Sequence, residues 1–426
     1  MSESSAAPGS GASAEVIGAG ETSGTGDPST GGRQPARRHE ARPGVLRDIL
    51  SGSWLVSLLS IAVGLLAGAV LIAASNESVQ ETLGYFFARP ADFFVTAWHV
   101  VTEAYIALFR GAIFDWQATS FVRAVRPFTE SLVAATPLIL AGLGIALGFR
   151  SGLFNIGGQG QVILGAILAG FLGYWLTLPA GLHLVVAVLG GIAGGALWGG
   201  IAGALKARTG ANEVIVTIML NSIAGYLIAY LLKQQWFTQS GSANPQSRDV
   251  DATASLFPLL PDPFRLNAGF LIAVAATVLV WWLLERSTLG FEFRAVGENP
   301  HAARTAGISV GRVTFLVMAL AGALAGLAGA SQVLGTEDKL TIGIAGSLGF
   351  DAITVALLGR SRPLGTFLAG LLFGAFKAGG YTMQAQTGTP IDIILVVQSV
   401  IVLLIAAPPL VRGLFRLPAP AGKEAR

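Results

Sequence analysis

The chain has 426 residues, of which 53% are hydrophobic and 12% charged, and it carries 56 glycines and a net charge of +3. Soluble domains are about one quarter charged, so this composition excludes an ordinary water-soluble globular protein. The absence of cysteine excludes a thiol nucleophile, a disulfide framework and a thiolate metal site, and the four histidines are too scattered to indicate a metal centre.

The chain begins with a segment rich in Ser, Gly, Ala and Pro, residues 1–48, which has no apolar core next to the start. Such a segment buries too little apolar surface to fold and does not resemble a signal peptide. We predict a disordered cytoplasmic tail, either solvated or in contact with the lipid surface through its arginines. A membrane domain is predicted over 49–411, and a second, short cytoplasmic tail over 412–426.

Ten apolar windows follow in chain order and are predicted to be membrane-spanning helices. They lie at 54–73, 131–149, 159–176, 182–204, 212–232, 267–284, 313–333, 343–358, 364–382 and 390–407. The short connecting segments place their Arg and Lys residues on one side, and only Lys339 falls in a short loop on the other. By the positive-inside rule, we predict an all-α polytopic bundle of about ten spans, multi-pass in the plasma (inner) membrane, with both termini cytoplasmic. Basic residues that stand singly between apolar blocks indicate a lipid bilayer and no nucleic-acid partner.

The first long connection, 74–130, falls on the outer side in this topology. It contains aromatic, weakly amphipathic stretches around 86–94 and 97–109. Such stretches are typical of helices that lie on the membrane surface, so we expect interfacial helices in the outer leaflet.

The segment 148–161, GFRSGLFNIGGQGQ, interrupts the helical pattern between two apolar windows. Broken backbone at membrane depth often lines a translocation path, and Asn155, Gln159 and Gln161 are candidates to contact a polar solute there. The alternative is a tight cytoplasmic turn, and the residues alone leave both interpretations open.

The segment 286–312 is long, polar and cytoplasmic in the predicted topology. Glu298, Asn299 and Pro300 form a helix start, and the short Ala-rich helix that follows is stopped by Gly307. A short helix presented between spans suits docking to another protein, whereas the alternative is a solvated loop.

Three polar side chains fall inside predicted spans: Asn221, Asp351 and Lys377. Charges in lipid are costly and usually paired. At about 1.5 Å per residue, Asp351 and Lys377 fall at similar depth on consecutive antiparallel helices, so a structural ion pair is one interpretation. A role in gating or in the translocation path is the other.

Four stretches carry a resemblance to a known family. They are ATPLILAGLGIALGFRSGLFNIGGQGQ at 135–161, GANEVIVTIMLN at 210–221, FRAVGENPHAARTAGI at 293–308 and GFDAITVALLGRSRPLG at 349–365. In this order they resemble permeases of ABC transporters of the branched-chain amino acid and ribose-type superfamily, most of all the nucleoside and simple-sugar subgroup.

The resemblance implies that residues 294–307 form the helix that couples the permease to its ATPase. The positions it singles out are Arg294, Glu298, Asn299, Pro300, Ala303 and Gly307. It further implies an ABC ATPase subunit that binds ATP and Mg²⁺, a second homologous permease in a heterodimer, and an extracytoplasmic substrate-binding protein. The chain itself is expected to bind no cofactor and to be no enzyme, and its sequence lacks a phosphate-binding loop motif.

The cargo implied by the resemblance is a nucleoside first, a simple sugar second and a branched-chain amino acid third. A gradient-driven secondary transporter or ion channel is a rival from another class, but two intramembrane charges are few for a proton relay. A membrane enzyme would need clustered acids, histidines or metal ligands, which the sequence does not contain.

Overall fold

The computed structural model describes residues 53–239 and 244–416. The predicted tail 1–48 lies outside the described residues, as does most of the predicted tail 412–426. The described ranges form fifteen helices and no strand. The helices are α1 (Ser53–Ser75), α2 (Glu77–Leu83), α3 (Pro90–Ala112), α4 (Phe121–Arg150), α5 (Gly158–Trp175), α6 (Leu182–Thr209), α7 (Glu213–Leu231), α8 (Gly269–Arg286), α9 (Thr288–Glu298), α10 (Pro300–Thr305), α11 (Val310–Gly335), α12 (Leu348–Leu358), α13 (Pro363–Thr387), α14 (Asp392–Ala406) and α15 (Pro408–Leu414).

The apolar helices confirm the predicted all-α polytopic bundle. Within the described ranges, six of them are long and apolar enough to cross a membrane: α1, α4, α6, α7, α8 and α11. A seventh span results if α14 and α15, which meet at an angle of 92°, are one broken helix. All ten predicted windows coincide with a helix over most of their length, but in the window 343–358 this helix is the short α12, which begins only at Leu348. The number of spans and the sides of the termini stay predictions.

The connection 74–130 contains a longer helix than its sequence pattern predicts. Helix α3 is 23 residues long and packs against α1 and α13. Its Tyr105 hydroxyl donates a hydrogen bond to the carbonyl oxygen of Leu65 on α1, and Ala104 and Ala107 are buried. The outer segment is thus part of the helix bundle, and its position relative to the outer leaflet stays a prediction.

The core of the bundle is built on close contacts between α5, α6 and α11. Glycines occur on the facing sides of α6 and α11, among them Gly195 and Gly322. A Cβ atom at Gly195 would overlap the carbonyl oxygen of Gly322, so the two backbones touch directly. Small residues permit this approach where no hydrophobic effect drives helices together in lipid.

This contact yields a stability prediction. Gly195→Ala should destabilise the protein by about 1–3 kcal/mol, because the added methyl group has no room against backbone atoms. Gly225→Ala on α7 is the matched control, since nothing lies within 4 Å of a Cβ atom built there. To measure the effect, the two purified variants are heated, and the loss of the monodisperse peak in size-exclusion chromatography is recorded against temperature. Equal melting temperatures for both variants would contradict the contact.

Candidate translocation path and coupling surface

Side-chain amides form hydrogen bonds within the turn 151–157, which separates α4 from α5. The Asn155 and Gln161 side chains hydrogen-bond to each other, with Nδ2 to Oε1 at 3.1 Å and Nε2 to Oδ1 at 3.2 Å. Asn155 Oδ1 also accepts from the Gly157 amide at 2.9 Å. Each side chain is only 1% exposed, and neither lines the large cavity described below. Asn155 and Gln161, which were predicted to line the translocation path, therefore stabilise the turn from a buried position.

Asn221 ties the same turn to α7. Its Oδ1 accepts from the Gly160 amide at 2.8 Å, and its Nδ2 donates to the Ile156 carbonyl at 2.9 Å. Gly160 leaves room for this approach, because a Cβ atom there would lie 3.1 Å from Asn221 Oδ1 and 2.8 Å from the Trp198 indole nitrogen. The amide of Asn221 thus replaces helical hydrogen bonds that the break removes.

Gln159 connects the beginning of α5 to the beginning of α12. Its Nε2 donates to the Gly346 carbonyl at 2.6 Å, and its Oε1 accepts from the Gly349 amide at 2.9 Å. Gly349 is in direct backbone contact with Gln159, because a Cβ atom at Gly349 would overlap the Gln159 amide nitrogen. One side chain therefore holds the end of the loop 336–347 and the first turn of α12 against the beginning of α5.

A cavity of about 810 Å³ lies between α4, α11, α13 and the loop 336–347. This volume is within the range of small-molecule sites, roughly 300–1,000 Å³. In the predicted topology it faces outward, because it is lined by the first half of α4 and by the last turns of α11 and α13. Gly346, which Gln159 holds, is part of its wall. The charged residues that line it are Arg123, Arg126, Glu130, Arg265, Glu337 and Lys377.

Glu130 lies close to two of the arginine side chains of this cavity. Its carboxylate oxygens lie 3.6 Å from Arg126 Nε and 3.6 Å from Arg265 Nη1, so it bridges α4 and the segment before α8. The sequence analysis did not single out Arg126, Glu130 and Arg265, because they lie in long outer segments whose charges say little about topology. The helical spacing of 123, 126 and 130, which places all three on one face, was the available signal.

The structure places Lys377 on the cavity wall and Asp351 beside the loop 336–347. Asp351 Oδ2 accepts a hydrogen bond of 2.6 Å from the Ser347 hydroxyl. No ion pair joins Asp351 to Lys377 in the described part of the chain. The two side chains therefore form no direct ion pair among the described residues, although Lys377 is close enough to act electrostatically on Asp351. Lys377 lines the cavity, and the role of the two charges stays a prediction.

The predicted cytoplasmic helix start at Asn299 is present and forms α10. Asn299 Oδ1 accepts from the His301 and Ala302 amides, each at 3.0 Å, and Pro300 occupies the first helical position. Gly307 ends the turn with φ +86°, which only glycine adopts without strain. Ala303 is the one buried residue of α10, so this helix rests on a single side chain and exposes the others.

Helix α9 joins α10 to the turn after α4. A Cβ atom at Gly297 would overlap the Arg150 carbonyl oxygen, and one at Gly152 would lie 3.2 Å from Gly297. Arg294 is half-buried on α9, with a buried Nη1 that has no hydrogen-bond partner among the described residues, whereas Glu298 is exposed. A displacement of α9 and α10 would therefore press directly on the α4–α5 turn.

The cavity yields an accessibility prediction that uses the absence of native cysteine. Lys377→Cys should react with a membrane-impermeant maleimide added from outside the cell, because residue 377 lines the outward cavity. Thr366→Cys on the same helix should not react, since Thr366 is fully buried. Labelling of the first variant only after membrane permeabilisation would contradict an outward opening.

The Gln159 contact yields a second prediction. Gln159→Leu removes both hydrogen bonds, so hydrogen exchange of the peptide that contains Gly349 should accelerate by about tenfold or more. Gln332→Leu is the matched control, because Gln332 lines the same cavity and its side chain has no hydrogen bond within the described ranges. Unchanged exchange in Gln159→Leu, measured by mass spectrometry, would show that the side chain does not hold the loop.

Curated relatives of the chain are permeases. The guanosine ABC transporter permease NupP of Bacillus subtilis is 35% identical over 83% of this chain and 93% of its own length. The glucose ABC transporter permease TsgB13 of Haloferax volcanii is 37% identical over 65% of this chain and 75% of its own. The nucleoside ABC transporter permease NupB of Lactococcus lactis is 33% identical over 83% and 90%. A second guanosine permease of Bacillus subtilis, NupQ, is also similar, at 27% identity over 57% of the chain.

Residues 128–406 match the family described as the permease component of branched-chain amino acid transport systems. No solved structure matches the chain significantly. The match covers most of the membrane domain and confirms the resemblance noted in the sequence, together with the prediction of an integral membrane protein that acts as a translocation subunit. The chain therefore belongs to the family of branched-chain amino acid transport system permeases.

Proposed function

We propose that this chain is the permease subunit of an ABC importer that moves a nucleoside across the plasma membrane, with a simple sugar as the alternative cargo. The single observation that carries the cargo assignment is the similarity to NupP, which extends over 83% of this chain. A branched-chain amino acid, which the family description mentions, is third.

The cavity chemistry supports a polar, partly flat cargo. Besides its charges, the wall offers hydrogen-bonding groups from Gln332, Thr336, Thr341, Tyr381 and Thr382. The hydroxyl groups of a ribose can pair with such donors and acceptors, and a nucleobase can stack on the ring of Tyr381. Each cation of the wall can in addition donate hydrogen bonds to the carbonyl groups of a base.

The proposed partners are an ABC ATPase, a second permease and an extracytoplasmic binding protein. In this arrangement ATP and Mg²⁺ bind to the ATPase, and this chain supplies the membrane path. The pair of guanosine permeases in Bacillus subtilis, NupP and NupQ, supports a heterodimer.

The contacts of α10 support a route for coupling. The exposed face around His301 and Arg304 would dock on the ATPase, and α9 would carry its displacement through Gly297 to the α4–α5 turn. From that turn, Gln159 connects to Gly346 on the cavity wall. Closure of the ATPase would thus favour one of two arrangements of the wall, which is how a partner shifts a conformational equilibrium.

ATP-dependent uptake of guanosine tests the proposal. The chain is reconstituted in vesicles with its ATPase, second permease and binding protein, and radiolabelled guanosine, glucose and leucine are compared. We expect uptake of guanosine that requires ATP on the ATPase side. Uptake by this chain alone, driven by an ion gradient, would overturn the assignment, and ATP-driven uptake of leucine only would overturn the cargo.

The same vesicles test the coupling surface. Glu298→Arg, at the exposed junction of α9 and α10, should lower uptake and copurification of the ATPase by about tenfold, because a charge reversal at a docking surface disfavours the complex. Glu77→Arg, an exposed acid on α2, is the control and should leave both unchanged. Equal effects of the two substitutions would exclude a specific role of α10.

A further inference from the structure

A second cavity lies at the opposite end of the bundle, where the predicted topology places the cytoplasm. It has a volume of about 690 Å³ and is formed by the end of α4, the end of α8 and the beginning of α13. We name it the arginine pocket after its lining residues Arg150, Trp281, Glu285, Arg286, Arg362 and Leu364.

The charge of the arginine pocket is not balanced from within the protein. Three guanidinium groups meet one carboxylate, and none of Arg150, Arg286 and Arg362 forms an ion pair with another residue in the described ranges. Arg150 Nε donates to the Ser361 carbonyl at 3.0 Å, which orients that guanidinium and leaves its other donors available. Guanidinium groups are suited to the oxygens of a phosphate group, to which they bind in a bidentate manner, and three of them line this one pocket.

The wall of the arginine pocket is apolar on the side away from the arginines. Trp281 is 45% exposed and Leu364 is 65% exposed. About one turn further from the charged end, Val278 on α8 and Leu368 on α13 are also exposed, at 57% each. A free phosphate ion would use only the arginines, but a phospholipid would place its phosphate at the arginines and an acyl chain along α8 and α13. In the predicted topology Trp281 lies near the cytoplasmic end of α8, and tryptophan is enriched at the ends of membrane-spanning helices, between headgroups and hydrocarbon.

We propose that the arginine pocket binds the phosphate group of an anionic phospholipid of the cytoplasmic leaflet. Basic pockets between membrane helices on this side of a bilayer are a known form of lipid headgroup site. The position connects the lipid to the coupling surface. Arg286 directly precedes Ser287, whose hydroxyl caps α9 by accepting from the Gly290 amide at 3.0 Å. Arg150 belongs to the turn on which Gly297 packs.

Lipid retention measures this site directly. The full chain is purified in detergent with an equimolar mixture of phosphatidylglycerol and phosphatidylcholine, and native mass spectrometry reports which lipid stays bound. We expect phosphatidylglycerol to be enriched, and Arg286→Gln combined with Arg362→Gln to reduce the enrichment by about twenty-fivefold, since each basic residue near an anionic headgroup contributes about fivefold. Arg208→Gln combined with Arg312→Gln removes the same charge from two exposed sites outside the pocket and should change little.

Further experiments distinguish between the possible ligands of the arginine pocket. Arg286→Lys combined with Arg362→Lys keeps the charge but not the bidentate guanidinium geometry, so it should retain more of the enrichment than the Gln variant, which separates loss of the site from loss of the fold. Inorganic phosphate at millimolar concentration should not displace the lipid, and displacement would identify a free-anion site instead. Equal losses in the pocket and control variants would overturn the proposal in favour of unspecific surface charge. A dimer mass with no bound lipid in the wild type would show that a second copy covers the pocket.

Discussion

In hydrocarbon, each backbone N–H and C=O group must find a hydrogen-bond partner within the protein, because water is absent and an unpaired group costs several kcal/mol. The helices are interrupted at 151–157 and 336–347, and the backbone groups there need hydrogen-bond partners from side chains. Asn221 and Gln159 meet this need with amide groups that donate and accept at once. An amide achieves this without the desolvation cost of a charge.

Helix α4 connects the functional regions of the protein. Its 30 residues extend over about 45 Å. Its first turns carry Arg126 and Glu130 to the outward cavity, and its last residue, Arg150, contacts both the arginine pocket and the coupling surface. Its middle is buried among α5, α11, α12 and α13. The helix thus links the α4–α5 turn to the outward cavity, and Pro127 and Pro137 within it are the positions where helical hydrogen bonds are missing.

Local sequence patterns predicted the helices and their capping well. Apolar windows define helices because hydropathy and helix propensity are properties of adjacent residues. The pattern at Asn299, Pro300 and Gly307 predicted α10 for the same reason, since a cap, a first-turn proline and a positive φ depend on neighbours only. Apart from Lys377, the charged residues of the cavity were not predicted, and Arg126 and Arg265 belong to outer segments that meet only after folding.

The sequence by itself determined that this chain is an all-α membrane protein, where its main helices lie, and that one short helix is presented between spans. The tertiary structure decided what each polar residue does. Gln159 and Gly349 are 190 residues apart, and their contact exists only because α5 and α12 begin at the same place in the bundle. Similarly, Asp351 hydrogen-bonds to Ser347 and Lys377 lines the cavity, which their similar depth along the helices did not indicate. Depth along a helix follows from the sequence, but the direction of a side chain around the bundle is set by packing between helices distant in the chain.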